Sequence, residues 1–125
     1  MSIKVDLARL AETTADFDHA YLLTVSSAGI VKVNAVDPVV TESSVTIPST
    51  SMQARLNLDA NPAVTLVWPP TVRHGHTLIV DGHGVHDAST ITVHPETAIL
   101  HRPGDHADGP AWADKDGCVQ DCRNV

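Results

Sequence analysis

The sequence predicts a mainly β fold with two short helices, in which six antiparallel strands close into a small barrel. Six segments are rich in strand-forming residues or alternate between apolar and polar side chains. The turns that join neighbouring strands are too short for the crossovers of a parallel sheet, which indicates antiparallel pairing. Closing these short strands into a barrel removes the exposed edges that an open sheet would leave.

The first half of the chain predicts one helix and three strands. Residues 4–18 place apolar side chains mainly on one face and contain neither Gly nor Pro, which is typical of an amphipathic helix. Residues 21–26 and 30–36 are rich in strand formers, and the short turn at 27–29 joins them as a hairpin. A third short strand is expected at residues 44–48.

The strand at residues 30–36 alternates, so its two faces can be assigned. Val31, Val33 and Ala35 point to one side and are expected to face the core, because they form the more apolar set. Lys32 and Asn34 point to the other side. The hairpin therefore predicts an apolar inner face and a polar outer face.

The stretch at residues 49–68, STSMQARLNLDANPAVTLVW, predicts a short helix that is followed at once by a buried strand. Met52 and Leu56 recur at helical spacing. Pro62 ends the helix, because proline disfavours helical dihedrals at the residue before it. The apolar run at 63–68 then reads as the strand.

Hydroxyl side chains cluster at the start of this helix. Ser49, Thr50 and Ser51 precede it, and Arg55 lies about one turn inside. Helix-start amides, hydroxyls and a guanidinium together supply the donors and positive charge that a phosphate group requires. The alternative is an ordinary capped helix with a solvated arginine.

The second half predicts two further strand regions, at residues 76–80 and 84–97, that follow a loop at 71–75. Gly82 lies between these two regions, and Gly84 is the first residue of the second. Glycine inside a strand pattern predicts a bulge or the close approach of another backbone.

Histidine is frequent in this chain, with eight residues of 125. None forms the H-E-x-x-H pair that places two ligands and a base on one helix, so we predict no metal site. His74 and His76 lie beside Arg73 in a loop that follows two prolines, and we expect them to line a pocket that binds an anionic substrate or, alternatively, a haem iron.

The length of 125 residues suits one domain. We place the barrel domain at residues 1–102 and an irregular tail, rich in Gly, Pro and Asp, at 103–125. The tail carries Cys118 and Cys122, whose C-x-x-x-C spacing is not that of a redox pair or half a zinc finger. They are most simply free thiols, with a local disulfide or a metal contact as the alternatives.

The formal net charge is −7, from 15 acidic and 8 basic residues. This charge opposes extended contact with nucleic acid or an anionic membrane. No run approaches the roughly 18 apolar residues of a membrane span, and acidic residues occupy the N-terminal stretch where a secretion signal would be apolar. We therefore expect a cytoplasmic protein with no nucleic-acid or membrane partner.

The motif ARLNLDANPAVTLVW at residues 54–68 resembles a signature of the flavin-binding split-barrel family related to pyridoxamine 5'-phosphate oxidase. That signature is a basic residue, an Asn-Leu pair, Asn-Pro and an apolar strand. The hairpin LLTVSSAGIVKVNAV at 22–36 and the segment VTIPSTS at 45–51 support the resemblance, which covers about residues 5–101. It implies a six-stranded antiparallel split β-barrel and a homodimer with two flavin sites at the subunit interface.

The resemblance also implies roles for individual residues. The cofactor phosphate would be held by residues at the helix start, namely Ser49, Thr50, Ser51 and Arg55. Lys32 and Asn34, on the second strand, would approach the flavin ring. The family often has a second basic residue in this helix, commonly lysine, whereas here the neighbouring residues are Met52, Gln53 and Ala54.

The family binds FMN in many members, a deazaflavin in others and haem in a few related barrels. The resemblance thus predicts an FMN-binding oxidoreductase that acts on an unidentified small molecule, with no residue assigned as a catalytic acid or base. The alternatives are a non-catalytic module that binds a deazaflavin, haem or another anionic ligand, and a cofactor-free dimeric scaffold.

Overall fold

The computed structural model of the protein describes residues 2–48 and 51–103. Within these residues the chain forms eight strands, two α-helices and one turn of 3-10 helix. The strands are β1 (Ser2–Lys4), β2 (Ala20–Val25), β3 (Val31–Val36), β4 (Val39–Val40), β5 (Val45–Pro48), β6 (Ala63–Trp68), β7 (Thr77–His86) and β8 (Thr90–His101). The helices are α1 (Leu10–Thr14), α2 (Met52–Ala60) and the 3-10 turn Leu7–Arg9.

All strand pairs are antiparallel and belong to one curled sheet with the order β3-β2-β6-β7-β8-β5-β4. The two end strands of this order, β3 and β4, are consecutive in the chain and are separated only by Asp37 and Pro38. The chain therefore passes directly from one edge of the sheet to the other, which requires the sheet to curl back on itself.

Strand β8 is the longest element and joins the parts of the barrel. It pairs with β7 along its length, with β5 through Thr90 to Val93, and with β1 through Ile99 to His101. Because β5 and β1 occupy different halves of the same edge, one strand organises three neighbours.

The inner face of the curled sheet forms the core, since alternate residues of β2, β5, β6, β7 and β8 are buried. Helices α1 and α2 add a few side chains to it. The buried apolar residues are Leu10, Ala20, Leu22, Val45, Ile47, Ala54, Leu58, Val64, Leu66, Trp68, Leu78, Val80, Ile91, Val93 and Ala98.

The predicted fold class is confirmed: the protein is mainly β, with two short helices and an antiparallel split β-barrel. The strand count differs, because eight strands are present where six were expected. The additional strands are β1 and β4, which have three and two residues and carry too little alternation to be recognised in a sequence. No helix among the described residues is long and apolar enough to cross a bilayer.

The predicted first helix, at residues 4–18, is wrong in its extent. Its beginning is occupied by β1, which pairs with the end of β8. Asp6 then starts the 3-10 turn by accepting a hydrogen bond from the amide of Ala8 (3.0 Å), and α1 covers only Leu10–Thr14. Within these two helices only Leu10 is buried, so a long helix has little apolar surface to pack.

The predicted core face of β3 is also wrong. Val31 and Val33 are 54% and 52% exposed, and Ala35 is exposed as well. Asn34 pairs with the buried Leu22 of β2, so Asn34 and its alternate neighbours lie on the inner face. Cross-strand partners point to the same side of a sheet, and β2 therefore decides the orientation of β3.

Both alternatives for the strand glycines occur in β7. Gly82 lies at the register shift that follows Asp81, and a Cβ there would lie 2.3 Å from the carbonyl oxygen of His94. Gly84 allows the close approach of α2, because a Cβ there would lie 3.2 Å from Leu58 Cδ2. The prediction of a bulge or a close contact is confirmed at these positions.

Candidate functional site

Ser51 caps the start of α2, as the sequence predicts for one of three hydroxyl residues. Its backbone is extended, with φ −74° and ψ 147°, and its Oγ accepts a hydrogen bond from the amide of Ala54 at 2.9 Å. The amides of Met52 and Gln53, in the first turn, have no partner within the helix by its geometry. Among the described residues no hydrogen-bond partner of these two amides is found, so they are candidate donors to an anion. Ser49 and Thr50 lie outside the described residues.

A buried polar network fixes the other side of α2 to the sheet. Asn57 is 2% exposed and donates from Nδ2 to Thr24 Oγ1 at 3.0 Å, and Thr24 is fully buried. Gln53 Nε2 donates to Asn57 Oδ1 at 2.8 Å. Sequence reasoning did not place Asn57 or Thr24 in the site, although Asn57 belongs to the Asn-Leu pair of the motif. An asparagine inside a helix was the available signal, because it is unfavourable there without a specific partner.

Lys32 and Asn34 lie on the strand next to this network. Lys32 is opposite Thr24, and Asn34 is opposite Leu22. Asn34 Oδ1 is buried and has no hydrogen-bond partner in the part of the chain that the structure describes. Lys32 is exposed. Helix α2 packs against β3, the strand that carries both residues, and against β2 and β7.

A groove runs between the end of β3 and the end of β5. It has a volume of about 320 Å³ and is lined by Ala35, Val36, Asp37 and Pro48. Asn34 precedes the first of these residues, and Pro48 leads directly to the hydroxyl segment at residues 49–51. Neither Asn34 nor Ser51 is among its lining residues, so the groove adjoins the predicted cofactor residues in sequence without containing them.

Arg55 lies on the flank of α2 that faces the turn between β7 and β8. It is half-buried, and Asp59 is one turn further along the same helix. The pKa of Asp87 at this turn is lowered mainly by hydrogen bonds from the amides of Ser89 and Thr90, and the charge of Arg55 lowers it slightly further. Arg55 therefore lies within reach of the charges at this turn as well as near the start of α2.

His86 links α2 to this turn. Its Nε2 lies 2.8 Å from Asp59 Oδ1, and its Nδ1 lies 3.1 Å from the carbonyl oxygen of Asp87. Both partners are acceptors, so both ring nitrogens make their hydrogen bonds only when the imidazole is protonated. The hydrogen bond with Asp59, followed by that with Asp87, raises the pKa of His86 above its ordinary value.

The loop between β6 and β7 brings only one of its two predicted histidines to a cavity. His74 has φ +65°, which is uncommon for a residue other than glycine, and its Nε2 accepts a hydrogen bond from Arg73 Nε at 3.0 Å. His76 lines a cavity of 340 Å³, and its Nε2 is buried without a partner among the described residues. The described residues contain no group of three or more His, Cys, Asp or Glu arranged to hold a metal ion.

No protein-family profile matches the sequence. Two uncharacterised proteins, one of Mycobacterium bovis and one of Mycobacterium tuberculosis, are each 37% identical to the chain over 135 residues. These alignments cover 95% of this chain and 93% of each relative.

Several solved structures have a similar fold at low sequence identity. An F420 reductase aligns with TM-score 0.56 and 18% identity, over 68% of this chain and 94% of its own. An FAD-binding protein of Mesorhizobium loti aligns with TM-score 0.60 and 11% identity, over 80% and 96%. The heme storage protein HutZ of Vibrio cholerae aligns with TM-score 0.58 and 14% identity, over 76% and 93%. The chain therefore belongs to the same family as the two mycobacterial proteins, and its fold is that of the split barrels related to pyridoxamine 5'-phosphate oxidase.

Proposed function

We propose that the protein binds FMN at the subunit interface of a homodimer and acts as an oxidoreductase on a small molecule. The observation that carries the proposal is the buried amide oxygen of Asn34, which has no partner among the described residues and lies on a strand that packs against α2 with its capped start. A flavin mononucleotide needs a polar contact for its ring and an anion site for its phosphate, and these two features would supply them.

The phosphate half of the site fits through backbone donors and one cation. The first-turn amides of Met52 and Gln53 and the partial positive charge of the helix start favour an anion. Arg55 supplies a guanidinium within the same helix, although its positive charge also interacts with the Asp87 carboxylate. Ser51 would hold this end in place, and the predicted contacts of Ser49 and Thr50 stay predictions.

The ring half of the site fits through Asn34. The edge of the isoalloxazine ring alternates carbonyl oxygens with an N–H group, and a side-chain amide can donate to one and accept from the other. An unpaired buried amide oxygen costs about 1–3 kcal/mol, so a ligand N–H that satisfies it recovers part of that cost. Lys32, two residues earlier on the strand, would add a positive charge beside the ring.

The outer face of the sheet supports the proposed homodimer. Apolar residues lie side by side across several strands in the observed register and are exposed or half-buried. They are Tyr21, Leu23, Val25, Val31, Val33, Ala35, Val67, Ile79 and Ile99. A continuous apolar surface of this kind is typical of a protein–protein interface, and self-association of two copies would cover it.

A bound flavin would supply the hydride or electron chemistry. The residues of this chain would bind its phosphate, orient its ring through Asn34 and exclude water along the apolar walls of the groove, namely Ala35, Val36 and Pro48. We assign no catalytic acid or base.

A second candidate is a non-catalytic barrel that binds a deazaflavin, haem or another anionic ligand, or a dimeric scaffold without a cofactor. The lack of a second cationic side chain next to Arg55 favours this candidate. Gln53 carries no charge, and Ala54 is fully buried and occupies space in the core. One missing charge-assisted hydrogen bond costs about 1.5–3 kcal/mol, which corresponds to roughly tenfold or more in affinity.

The Arg55→Ala variant tests the phosphate site. We expect FMN affinity, measured by quenching of flavin fluorescence, to fall by about 1.5–3 kcal/mol, because a charge-assisted contact is lost. Arg73→Ala is the matched control, since Arg73 lies in the exposed loop between β6 and β7. Equal affinity in Arg55→Ala and the wild-type protein would refute the role of Arg55. Reduction of bound FMN by a nicotinamide donor then separates an oxidoreductase from a carrier.

A further inference from the structure

The cavity that contains His76 lies at the end of the barrel opposite α2. Trp68, Leu78 and Leu100 are adjacent in the register at this end. The other end is marked by Val64 and Gly84, which lie next to Leu58 of α2. The cavity shares no lining residue with the groove at the ends of β3 and β5. Its walls are Thr13, Asp16, Phe17, Thr71, Val72, Gly75, His76 and Leu100.

Two polar residues of this cavity, Thr13 and Asp16, present hydrogen-bond acceptors. The Thr13 hydroxyl donates to the carbonyl oxygen of Arg9 at 2.9 Å, so its proton is committed and its lone pairs remain. Asp16 contributes a carboxylate at the exposed rim. His76 adds an imidazole whose Nε2 has no partner among the described residues. A ligand that donates hydrogen bonds and carries positive charge matches this set.

The remaining walls are apolar and the size is that of a small-molecule site. Phe17, Val72 and Leu100 are the large apolar side chains among them. The volume of 340 Å³ lies within the range of about 300–1,000 Å³ that is usual for ligand pockets. The matching ligand therefore has an apolar body in addition to its charged donor.

The loop that forms one wall is held in an unusual conformation. A Cβ at Gly75 would lie 3.0 Å from Val72 Cγ2 and 3.2 Å from Pro70 Cβ, so the position is suited to glycine. The amide of Gly75 donates to the carbonyl oxygen of Val72 at 3.0 Å, and the preceding residue, His74, has φ +65°. Strained backbone of this kind is concentrated at ligand sites, because the surrounding structure must maintain it.

We propose that this cavity binds a small organic ammonium ion with an apolar body, through Asp16, Thr13 and His76. The apolar part packs on Phe17 and Leu100, and the ammonium group donates to the acceptors at the rim. This site does not depend on the cofactor proposal, because it is formed by other residues.

The test uses the full-length protein and cyclohexylammonium as the probe. The NMR signals of the His76 imidazole, identified by their loss in His76→Ala, are followed during titration. We expect saturable shifts with cyclohexylammonium, weaker binding of cyclohexanol and none of cyclohexanecarboxylate, because the acceptors and Asp16 repel an anion.

Asp16→Asn and Asp18→Asn form a matched pair, since both remove one exposed carboxylate but only Asp16 lines the cavity. We expect cyclohexylammonium to bind at least about threefold more weakly to Asp16→Asn than to the wild-type protein, a modest loss because the carboxylate is exposed to solvent. We expect no change in Asp18→Asn. Three results would each overturn the proposal: no saturable shift with cyclohexylammonium, equal binding of the carboxylate probe, or equal losses in the two variants. The comparison of the three probes on the wild-type protein stays decisive if Asp16→Asn does not fold.

Discussion

Asn57 holds the candidate cofactor helix in place. Its amide donates to Thr24 and accepts from Gln53, and all of this lies under α2 beside the strand that carries Asn34. Removing one partner of a buried hydrogen bond costs more than the bond itself contributes, because the remaining partner is buried away from water without a hydrogen bond. Asn57 therefore acts on the site by positioning its elements.

We expect Asn57→Ala to lower the free energy of unfolding by about 2–3 kcal/mol, through a small cavity and an unpaired Thr24 hydroxyl. Met52→Ala is the control, since Met52 is 69% exposed on the same helix and its loss should change stability by about 0.5 kcal/mol or less. Urea denaturation of both variants measures the two values. Equal losses would contradict the positioning role of Asn57.

His86 predicts a pH dependence of stability. Its folded pKa is raised, so its pairing with Asp59 stabilises the protein fully below the unfolded pKa of about 6.5 and is lost as the pH rises through the folded value. Asp59→Asn should therefore lower stability at about pH 5.5 by roughly 0.2–1 kcal/mol more than at about pH 9. Thermal melts at the two pH values provide the measurement, and the same difference in both conditions would refute the assignment.

At the level of residues, the sequence was informative where a local rule applies. Ser51 was among three predicted caps, because helix starts select hydroxyl side chains. The network of Asn57 and Thr24 was missed, since the partners are 33 residues apart and meet only in the folded sheet. Arg55 could be placed in α2 but not beside Asp87, for the same reason.

At the level of elements, β7 meets α2 and β8 through two glycines with different neighbours. The space at Gly84 is limited by the ends of the Leu58 and Val64 side chains, which can shift by a few tenths of an ångström. The space at Gly82 is limited by the backbone of His94, which is fixed by strand pairing. The two positions should therefore differ in tolerance.

We expect Gly84→Ala to cost about 1–2 kcal/mol and Gly82→Ala to cost more than about 3 kcal/mol, because backbone cannot yield as side chains do. Urea unfolding of the two variants compares them directly. A Gly82→Ala variant as stable as Gly84→Ala would show that the bulge is not fixed by this contact.

Helix α2 and strand β6 were predicted correctly from strong local signals, whereas the first helix was predicted too long because the pairing of β1 with β8 is distant in the sequence. Helix α2 ends near Asn61 and Pro62, and β6 follows as expected. The start of the predicted first helix instead forms β1, since the edge of β8 at Ile99 to His101 offers unpaired backbone groups. Pairing with a strand almost one hundred residues away leaves no trace in the local pattern.

At the level of the whole molecule, the exposed apolar side of β2 and β3 is the feature that a single subunit does not explain. Val31 and Val33 were predicted to be core residues and are exposed instead. The side chains of β3 do alternate between two faces. Whether one of these faces packs on the core or on another copy depends on the neighbouring strands in the sheet. The proposed homodimer accounts for the apolar face.

We expect Val33→Lys to convert a dimer to monomers, because burying an unpaired ammonium group at the interface costs several kcal/mol. Val39→Lys is the control, since Val39 is similarly exposed but lies on β4 at the other end of the sheet order. Sedimentation equilibrium of both variants tests the prediction. A wild-type protein that is monomeric, or a Val33→Lys variant that stays dimeric, would contradict it.

The central claim is that this split barrel binds FMN between Asn34 and the start of α2. The most direct measurement is a titration of the purified protein with FMN, followed by flavin fluorescence and repeated with Asn34→Leu. We predict saturable binding of about one FMN per subunit in the wild-type protein and affinity at least about tenfold weaker in the variant, because the buried polar contact is lost. A protein that does not bind FMN, or binds it equally well in both forms, would contradict the account.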